Sequence, residues 1–401
     1  MFCILLGRFV CKNDRMIGRL LSGTLARSPK SVLLLGPRQT GKSTLLLDLR
    51  PDMVIDLARE SEFLTFAANA RELEERIRAQ SPRTVFVDEV QRLPSMLNTV
   101  QALIDEAKHE GKRLKFFLSG SSARKLRRGQ ANLLPGRVLC YRLGPLASAE
   151  IGAEFQVRKA MEVGTLPEPY LEPDRPTSEK LLASYSGTYL REEIQAEAIS
   201  RNLEGFSRFL TVVAACSGQS LDFSKLAQRA HVSRASTIRY FEALEDTLLV
   251  YRLDPFPDSK NADLVRHPRY FFFDPGVLNG LLGAYAASPD RIGMLFEHLV
   301  VSQLWANASA YDRDLALHTF RTRGGLEVDF IARIGSTLWA IEAKATERVS
   351  NQDAASLVAA KAYLPKNVHL VIVIPAGPHR RLTCGVDVMA LPDLLSVMMG
   401  G

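Results

Sequence analysis

Hydrophobic and polar positions along the chain fall into two alternating textures. Apolar runs with few interruptions, Ser31-Val32-Leu33-Leu34-Leu35, Met53-Val54-Ile55-Asp56-Leu57, Thr84-Val85-Phe86-Val87 and Leu114-Lys115-Phe116-Phe117-Leu118, are what strands buried on both faces require. Between them, apolar residues return at helical spacing over 17–30, just after 43, over 60–80 and over 95–110. Strand alternating with helix predicts an α/β fold, a parallel sheet with helices on both faces.

The texture changes after 150. Tyr185, Tyr189, Leu190, Ile194 and Ala198 recur at helical spacing opposite Arg191, Glu192, Glu193 and Glu197, which predicts a helical connector packed by one face. Phe223–Ala230 reads as a helix, His231-Val232-Ser233 as a turn, and Arg234–Leu244 as a second helix with Ser233 as N-cap, ahead of a strand at Leu248–Leu253. Farther on come a helix over Met294–Trp305, an alternating strand Leu326–Ala332, a Gly335-Ser336 turn and a returning strand Leu338–Lys344. The expected division is an N-terminal extension (1–15, with Met16 a plausible alternative start), a first α/β domain (16–150), a helical connector (151–203), a helix-turn-helix domain (204–264) and a last α/β domain (265–401).

Chemistry concentrates where the first apolar run ends. Gly36-Pro37-Arg38-Gln39-Thr40-Gly41-Lys42-Ser43 fits the phosphate-loop pattern G-x-x-x-x-G-K-[ST], with a strand before it and a helical run from Thr44 after it. Backbone N–H groups of such a loop surround phosphates. Lys42 reaches the β- and γ-phosphates and the Ser43 hydroxyl ligates Mg²⁺. The implied cofactors are ATP and Mg²⁺, bound by residues 36–44. The run Thr84–Val87 ends in Asp88-Glu89, as a Walker B strand does; Asp88 would hold Mg²⁺ through water and Glu89 would deprotonate the attacking water. Ser119, after the fourth run, is either a phosphate sensor or part of a plain Gly/Ser turn.

Composition adds a bias. The 401 residues carry a net charge of +7 with 46% hydrophobic and 24% charged residues, those of an ordinary globular chain. Residues 1–150 hold 25 Lys and Arg against 15 Asp and Glu, the remainder 26 against 29. From Gly111 to Ala149 nine basic residues, Arg124, Lys125, Arg127 and Arg128 among them, meet no acidic one; this is either a polyanion-binding stretch or a solvated face. Five scattered cysteines without C-x-x-C spacing argue against a disulfide framework and a zinc site, and for a reducing cytoplasm. No apolar run reaches membrane-spanning length.

Taken together, Gly36–Ser43, Val87-Asp88-Glu89-Val90-Gln91, Ser119–Ser122, Gly136-Arg137, Pro145-Leu146, Gly164-Thr165-Leu166-Pro167, Tyr185–Glu193 and Phe273-Asp274-Pro275-Gly276 resemble the bacterial and archaeal AAA+-type ATPases that carry a C-terminal domain of unknown function. The resemblance spans about residues 16–395. It implies a homo-oligomer, such as a hexameric ring, in which Arg137 reaches a neighbour's γ-phosphate. Residues 204–255 look like a winged helix, in which Arg234, Ser236, Thr237 and Arg239 would contact DNA; a helix-turn-helix used only for packing is the alternative, and Glu242, Glu245 and Asp246 favour it. The order Glu297, Asp329, then Glu342-x-Lys344 resembles the PD-(D/E)xK nuclease fold, with the three carboxylates holding Mg²⁺ and Lys344 placing water, or the fold persisting without cleavage.

The expected function is an oligomeric Mg²⁺-dependent AAA+ ATPase that couples ATP hydrolysis to binding or remodelling DNA, branched DNA included. The alternatives are a nucleotide-gated switch acting on a protein partner and an ATP-regulated Mg²⁺-dependent DNase. Expected partners are DNA and further copies of the chain, with no membrane.

Overall fold

The computed structural model describes residues 17–121, 134–189, 203–220, 222–257 and 263–400. Its first module is a five-stranded sheet, all parallel, in the order β2-β3-β4-β1-β5. The strands are β1 (Ser31–Leu35), β2 (Met53–Asp56), β3 (Thr84–Asp88), β4 (Lys115–Gly120) and β5 (Val138–Arg142). Although β1 is apolar throughout, its pleat divides it. Val32 and Leu34 join one cluster with Leu21, Leu25, Leu46 and Phe117, while Leu33 and Leu35 join another with Ile55, Val87, Leu97 and Val100. Leu34 is fully buried, so Leu34→Ala would cost about 2–5 kcal/mol.

Two expected helices come out shorter. The helix expected over 17–30 covers only Ser22–Arg27, because Arg19 and the Leu20 N–H are bound to groups elsewhere in the chain and Pro29 disfavours helical geometry at Ser28. The stretch 60–80 breaks into Glu60–Ala68 and Glu72–Gln80: Asn69 turns extended and its side-chain oxygen accepts the Arg71 N–H at 3.0 Å.

Beyond β5, helices Ser148–Ile151, Val157–Val163, Pro167–Leu171 and Arg175–Ser184 lead to a π-type turn at Tyr185–Tyr189. Helices Leu203–Ala215, Phe223–Ala230 and Arg234–Asp246 then pack on an antiparallel pair, β6 (Val250–Leu253) and β7 (Arg269–Phe272). Their shared core is aromatic: Phe206, Phe209, Tyr240, Phe241 and Tyr270, with Phe241 and Tyr270 centred 4.6 Å apart. Ser233 is the N-cap, accepting the Ser236 N–H at 3.1 Å.

Helix Ile292–Ala310 is buried nearly all round. It lies against a six-stranded mixed sheet ordered β12-β13-β11-β10-β9-β8, with β8 (Leu315–Arg321), β9 (Glu327–Ile334), β10 (Thr337–Ala343), β11 (His369–Ile374), β12 (Arg380–Arg381) and β13 (Asp387–Ala390). The same helix meets the chain leaving β5. Gln303 accepts the Ser148 N–H at 2.7 Å and donates to Leu146 O (3.1 Å) and the Thr165 hydroxyl (3.0 Å).

Two short motifs interlock beside that contact. The Asp274 carboxylate, wholly buried, accepts N–H bonds from Thr165 at 2.7 Å and Val277 at 3.0 Å. A Cβ on Gly164 would fall 1.9 Å from Asp274 Oδ1, and one on Gly276 would fall 2.1 Å from Val163 O, so both positions require glycine. Burial pushes the Asp274 carboxyl up to about 6 against the N–H bonds that favour its charged form. Among the described residues no helix is long and apolar enough to cross a membrane.

Candidate functional site

Parallel strands deliver their following loops to one edge of a sheet, and that edge is where ligands bind in such folds. β4 lies between β1 and β3, so Ser119 near its end comes between the loop after β1 and Asp88 at the end of β3. The loop from Gly36 is left-handed at Gln39 (φ 61) and at Gly41 (φ 87), the alternation that turns successive N–H groups inward as an anion cradle. Gly36 passes so close to the chain leaving β5 that a Cβ there would lie 2.2 Å from Leu143 O. Lys42 is buried and folded into the loop, donating to Gly36 O at 2.9 Å and Pro37 O at 2.8 Å. Thr40 is buried, its hydroxyl donating to Pro37 O at 2.9 Å. Arg38, Gln39 and Ser43 are partly exposed and Thr44 is exposed.

The acidic end of β3 is organised by β4. The Ser119 hydroxyl donates to Asp88 Oδ1 and accepts the Glu89 N–H at 3.2 Å, and that N–H also reaches Asp88 Oδ1 at 3.1 Å. Ser119 is therefore wired to the Walker B pair. Glu89 is left-handed (φ 54), which turns its side chain out of the strand's alternation, and its carboxylate accepts from the Gln91 amide. The donor set suits the expected cofactors: a hydroxyl at Ser43 and a carboxylate at Asp88 are hard oxygen ligands of the kind Mg²⁺ prefers, beside an ammonium and a glycine-bearing loop for phosphates.

Arg137 stands apart from these groups. It precedes β5, whose Val138 pairs with Ser31 at the start of β1, so it lies at the sheet edge opposite the phosphate loop of its own chain. Its guanidinium makes two 2.8 Å bonds to Asp105, holding that carboxyl below the usual range. Arg124, Lys125, Arg127 and Arg128 lie outside the described residues. Elsewhere in the basic stretch, Lys115 is taken up by the fold, donating to Leu25 O and Ser28 O.

On the helix from Arg234, Arg234 and Arg239 are exposed, and Ser236 is half-buried and bonded to the Ser233 hydroxyl. Thr237 does not serve as a DNA contact: it is wholly buried and its hydroxyl donates to Ser233 O at 3.1 Å. Farther along, burial raises the Glu245 carboxyl, helped by Asp246, Asp254 and Glu242 nearby.

In the C-terminal sheet Asp329 and Glu342 come from adjacent strands; Phe330 pairs with Ile341 and Asp329 Oδ2 accepts the Ala343 N–H at 2.8 Å. Burial, then the charges of Glu297 and Glu342, raise the Asp329 carboxyl well above its ordinary value, and burial also raises Glu342. The expected metal set does not form. Glu297 is held by Arg269 at 2.7 Å, Lys344 takes Glu342 at 2.9 Å, and among the described residues no group of three His, Cys, Asp or Glu side chains is arranged for a metal ion. His298, next to Glu297, points into the core against Phe271, and burial lowers its imidazole to about 3.

Comparison with known families agrees with this layout. Residues 28–152 match the family described as an AAA domain. This module is an AAA domain. Residues 154–288 match a domain of unknown function (DUF8612) and residues 292–394 another (DUF4143). Uncharacterized proteins of Mycobacterium tuberculosis and Mycobacterium bovis are each 27% identical over 338 residues, 82% of this chain and 73% of theirs. One from Haemophilus influenzae is 22% identical, covering 74% of this chain and 78% of its own. Among solved structures, the replication initiator DnaA bound to AMPPCP and single-stranded DNA aligns with 12% identity over 56% of this chain and 85% of its own, at a TM-score of 0.28. A single-substitution variant of Thermotoga maritima RuvB aligns with 14% identity over 59% and 87%, at 0.26. Both likenesses are too slight to carry an argument. The AAA domain makes the chain a nucleotide-binding P-loop protein.

Sequence reasoning gave no site role to three groups around the AAA domain's loop. Arg19 donates to Thr40 O (2.6 Å), Gly144 O (3.0 Å) and Glu150 (3.0 Å); Glu150 is wholly buried at its side chain and also accepts the Ala147 N–H. Together they clasp the phosphate loop to the chain leaving β5. Tyr185, buried against Phe273, donates to Arg38 O at 3.4 Å, so the loop also touches the core of the next module. Gln91 is the third. None sits in a spacing that announces it.

Proposed function

We propose that the protein is an oligomeric Mg²⁺-dependent ATPase that couples hydrolysis to the binding or remodelling of DNA by its C-terminal modules. The observation that carries the reading is the gathering of Lys42, Ser43, Asp88, Glu89 and Ser119 at one sheet edge, with Ser119 bridging the two acids. Bound Mg²⁺ would supply charge neutralisation at the β- and γ-phosphates. Lys42 would leave its loop carbonyls to take phosphate oxygens, and Ser43 and Asp88 would hold the ion. Glu89 takes the proton of the attacking water at a carboxylate oxygen, while Ser119 fixes Asp88 and the Glu89 backbone. Arg137, placed away from its own loop, would act on a neighbouring copy.

Coupling is supported by the Tyr185 contact, which ties the phosphate loop to the next module, and by the Arg19–Glu150 clasp, which ties it to the segment whose Ser148 N–H is held by Gln303 of the last module. Exposed Arg234 and Arg239 support contact with a nucleic-acid backbone. Buried Thr237 and the acidic end of the same helix favour a second reading, in which that helix-turn-helix packs and the nucleotide gates a protein partner. Because its carboxylates are held by Arg269 and Lys344, no cleavage step is assigned to the C-terminal sheet. ATP turnover measured with and without duplex, single-stranded and four-way-junction DNA, on an oligomer resolved by size, tests the proposal. Stimulation by DNA together with an affinity that falls steeply with salt supports it; turnover indifferent to DNA favours the second reading, and no turnover in either setting sinks both.

A further inference from the structure

Gln91 lies two residues beyond Glu89, in a short 3-10 turn, and is almost wholly buried at 4% exposure. Its amide nitrogen has two acceptors, the Glu89 carboxylate and the Ser121 hydroxyl at 3.0 Å. A carboxylate only accepts, so the nitrogen must face Glu89, which fixes the amide's orientation. Its Oε1 is buried with no hydrogen-bond partner among the described residues. Folding keeps few such atoms, and retaining this one points to work done by the nitrogen. Gly120 is shaped to admit it: a Cβ there would lie 2.8 Å from Gln91 Oε1, so a larger residue between Ser119 and Ser121 would push the amide off Glu89.

We propose that Gln91 is a positioning residue for hydrolysis, an amide clamp that fixes the Glu89 carboxylate relative to the end of β4. The clamp joins the two strand ends that frame the attacking water: Ser119 reaches back from β4 to the β3 acids, and Gln91 reaches forward from β3 to Ser121. The inference rests on the reading of Glu89 as the base. An orienting partner of that kind acts on turnover while leaving ground-state nucleotide contacts alone.

The test uses the full chain and Gln91→Leu, which keeps the volume and removes both hydrogen bonds. ATP turnover is measured at saturating Mg²⁺-ATP, and affinity is measured separately with a fluorescent ATP analogue. The expected result is a kcat lower by roughly 10- to 100-fold, with KM and analogue affinity within about twofold of wild type. In a Glu89→Gln background the same substitution should add nothing further, since there is no base left to place. Unchanged kcat overturns the proposal, as does a fall in affinity and melting temperature together, which would mark Gln91 as packing alone. If Gln91→Leu does not fold, Gln91→Asn, which keeps the amide but shortens its reach, is expected to show the same kcat-specific loss, and its absence overturns the proposal equally. Normal turnover in Glu89→Gln alone would instead remove the base assignment.

Discussion

The nucleotide site and the carboxylate cluster of the C-terminal sheet are both built at strand ends, yet they stand in opposite electrical states. At the first, an ammonium and a ring of loop backbone are folded on themselves, Lys42 resting on Gly36 O and Pro37 O, ready to exchange carbonyl partners for phosphate oxygens. At the second, Glu297 and Glu342 are already held by Arg269 and Lys344, and the cost of burial has fallen on Asp329, whose carboxyl is pushed up. A site waiting for charge and a site that has answered its own charge call for different experiments.

The largest effect expected is at the first site. Glu89→Gln should lower ATP turnover by about 10²–10⁴-fold while leaving nucleotide affinity intact, checked by steady-state kinetics beside equilibrium titration. Lys42→Ala should weaken ATP by roughly 100-fold, since charge-assisted phosphate contacts are worth about 1.5–3 kcal/mol each; a titration showing unaltered affinity would erase the contrast between the two sites.

Asp274 comes next, because it belongs to neither site and ties together two segments of the module between them. Its folded value, about 6, lies above the ordinary one, so its contribution to stability is complete below about pH 4 and is lost as pH rises through 6, about 3 kcal/mol in all. Wild type should therefore lose ground against Asp274→Asn between pH 4 and 6 in urea unfolding, and the gap should stay constant above that range. At the carboxylate cluster the sign is the same, burial and the neighbouring charges of Glu297 and Glu342 raising the Asp329 carboxyl. Removing one raised carboxyl by Asp329→Asn should make the variant gain on wild type as pH rises, and Mg²⁺ without nucleotide should not shift wild-type melting. A Mg²⁺-dependent shift that Asp329→Asn abolishes would show that the cluster binds metal after all. The smallest effect expected is at Arg234 and Arg239: alanine at either should reduce the salt slope of DNA affinity by about one, and no change would assign the helix to packing.

How much is legible in the chain follows from where each group's partners lie. The phosphate loop and the Asp88-Glu89 pair are readable because their chemistry needs contiguous residues, and Ser119 because it ends an apolar run. Asp329 and Glu342 are readable as neighbours because a two-residue turn fixes the hairpin register. What escapes depends on distant contacts. The helix expected over 17–30 is short because Arg19 is drawn to Thr40 and Glu150, the latter pairing 131 residues apart. Thr237 fits a DNA-reading pattern, but tertiary packing turns it inward. Glu297 does sit on its expected helix, while Arg269, which claims it, comes from a strand the pattern does not connect to it.

The order of strands in the first sheet also governs how the molecule assembles. Because β4 must slip in between β1 and β3, the pieces that would grip a triphosphate meet only after β1 has paired with a strand far along the chain, Val32 beside Phe117. A partly folded chain holds the motif but no cradle. Nucleotide added during refolding should therefore capture finished molecules alone, making its binding a direct count of chains whose sheet has closed in the right order.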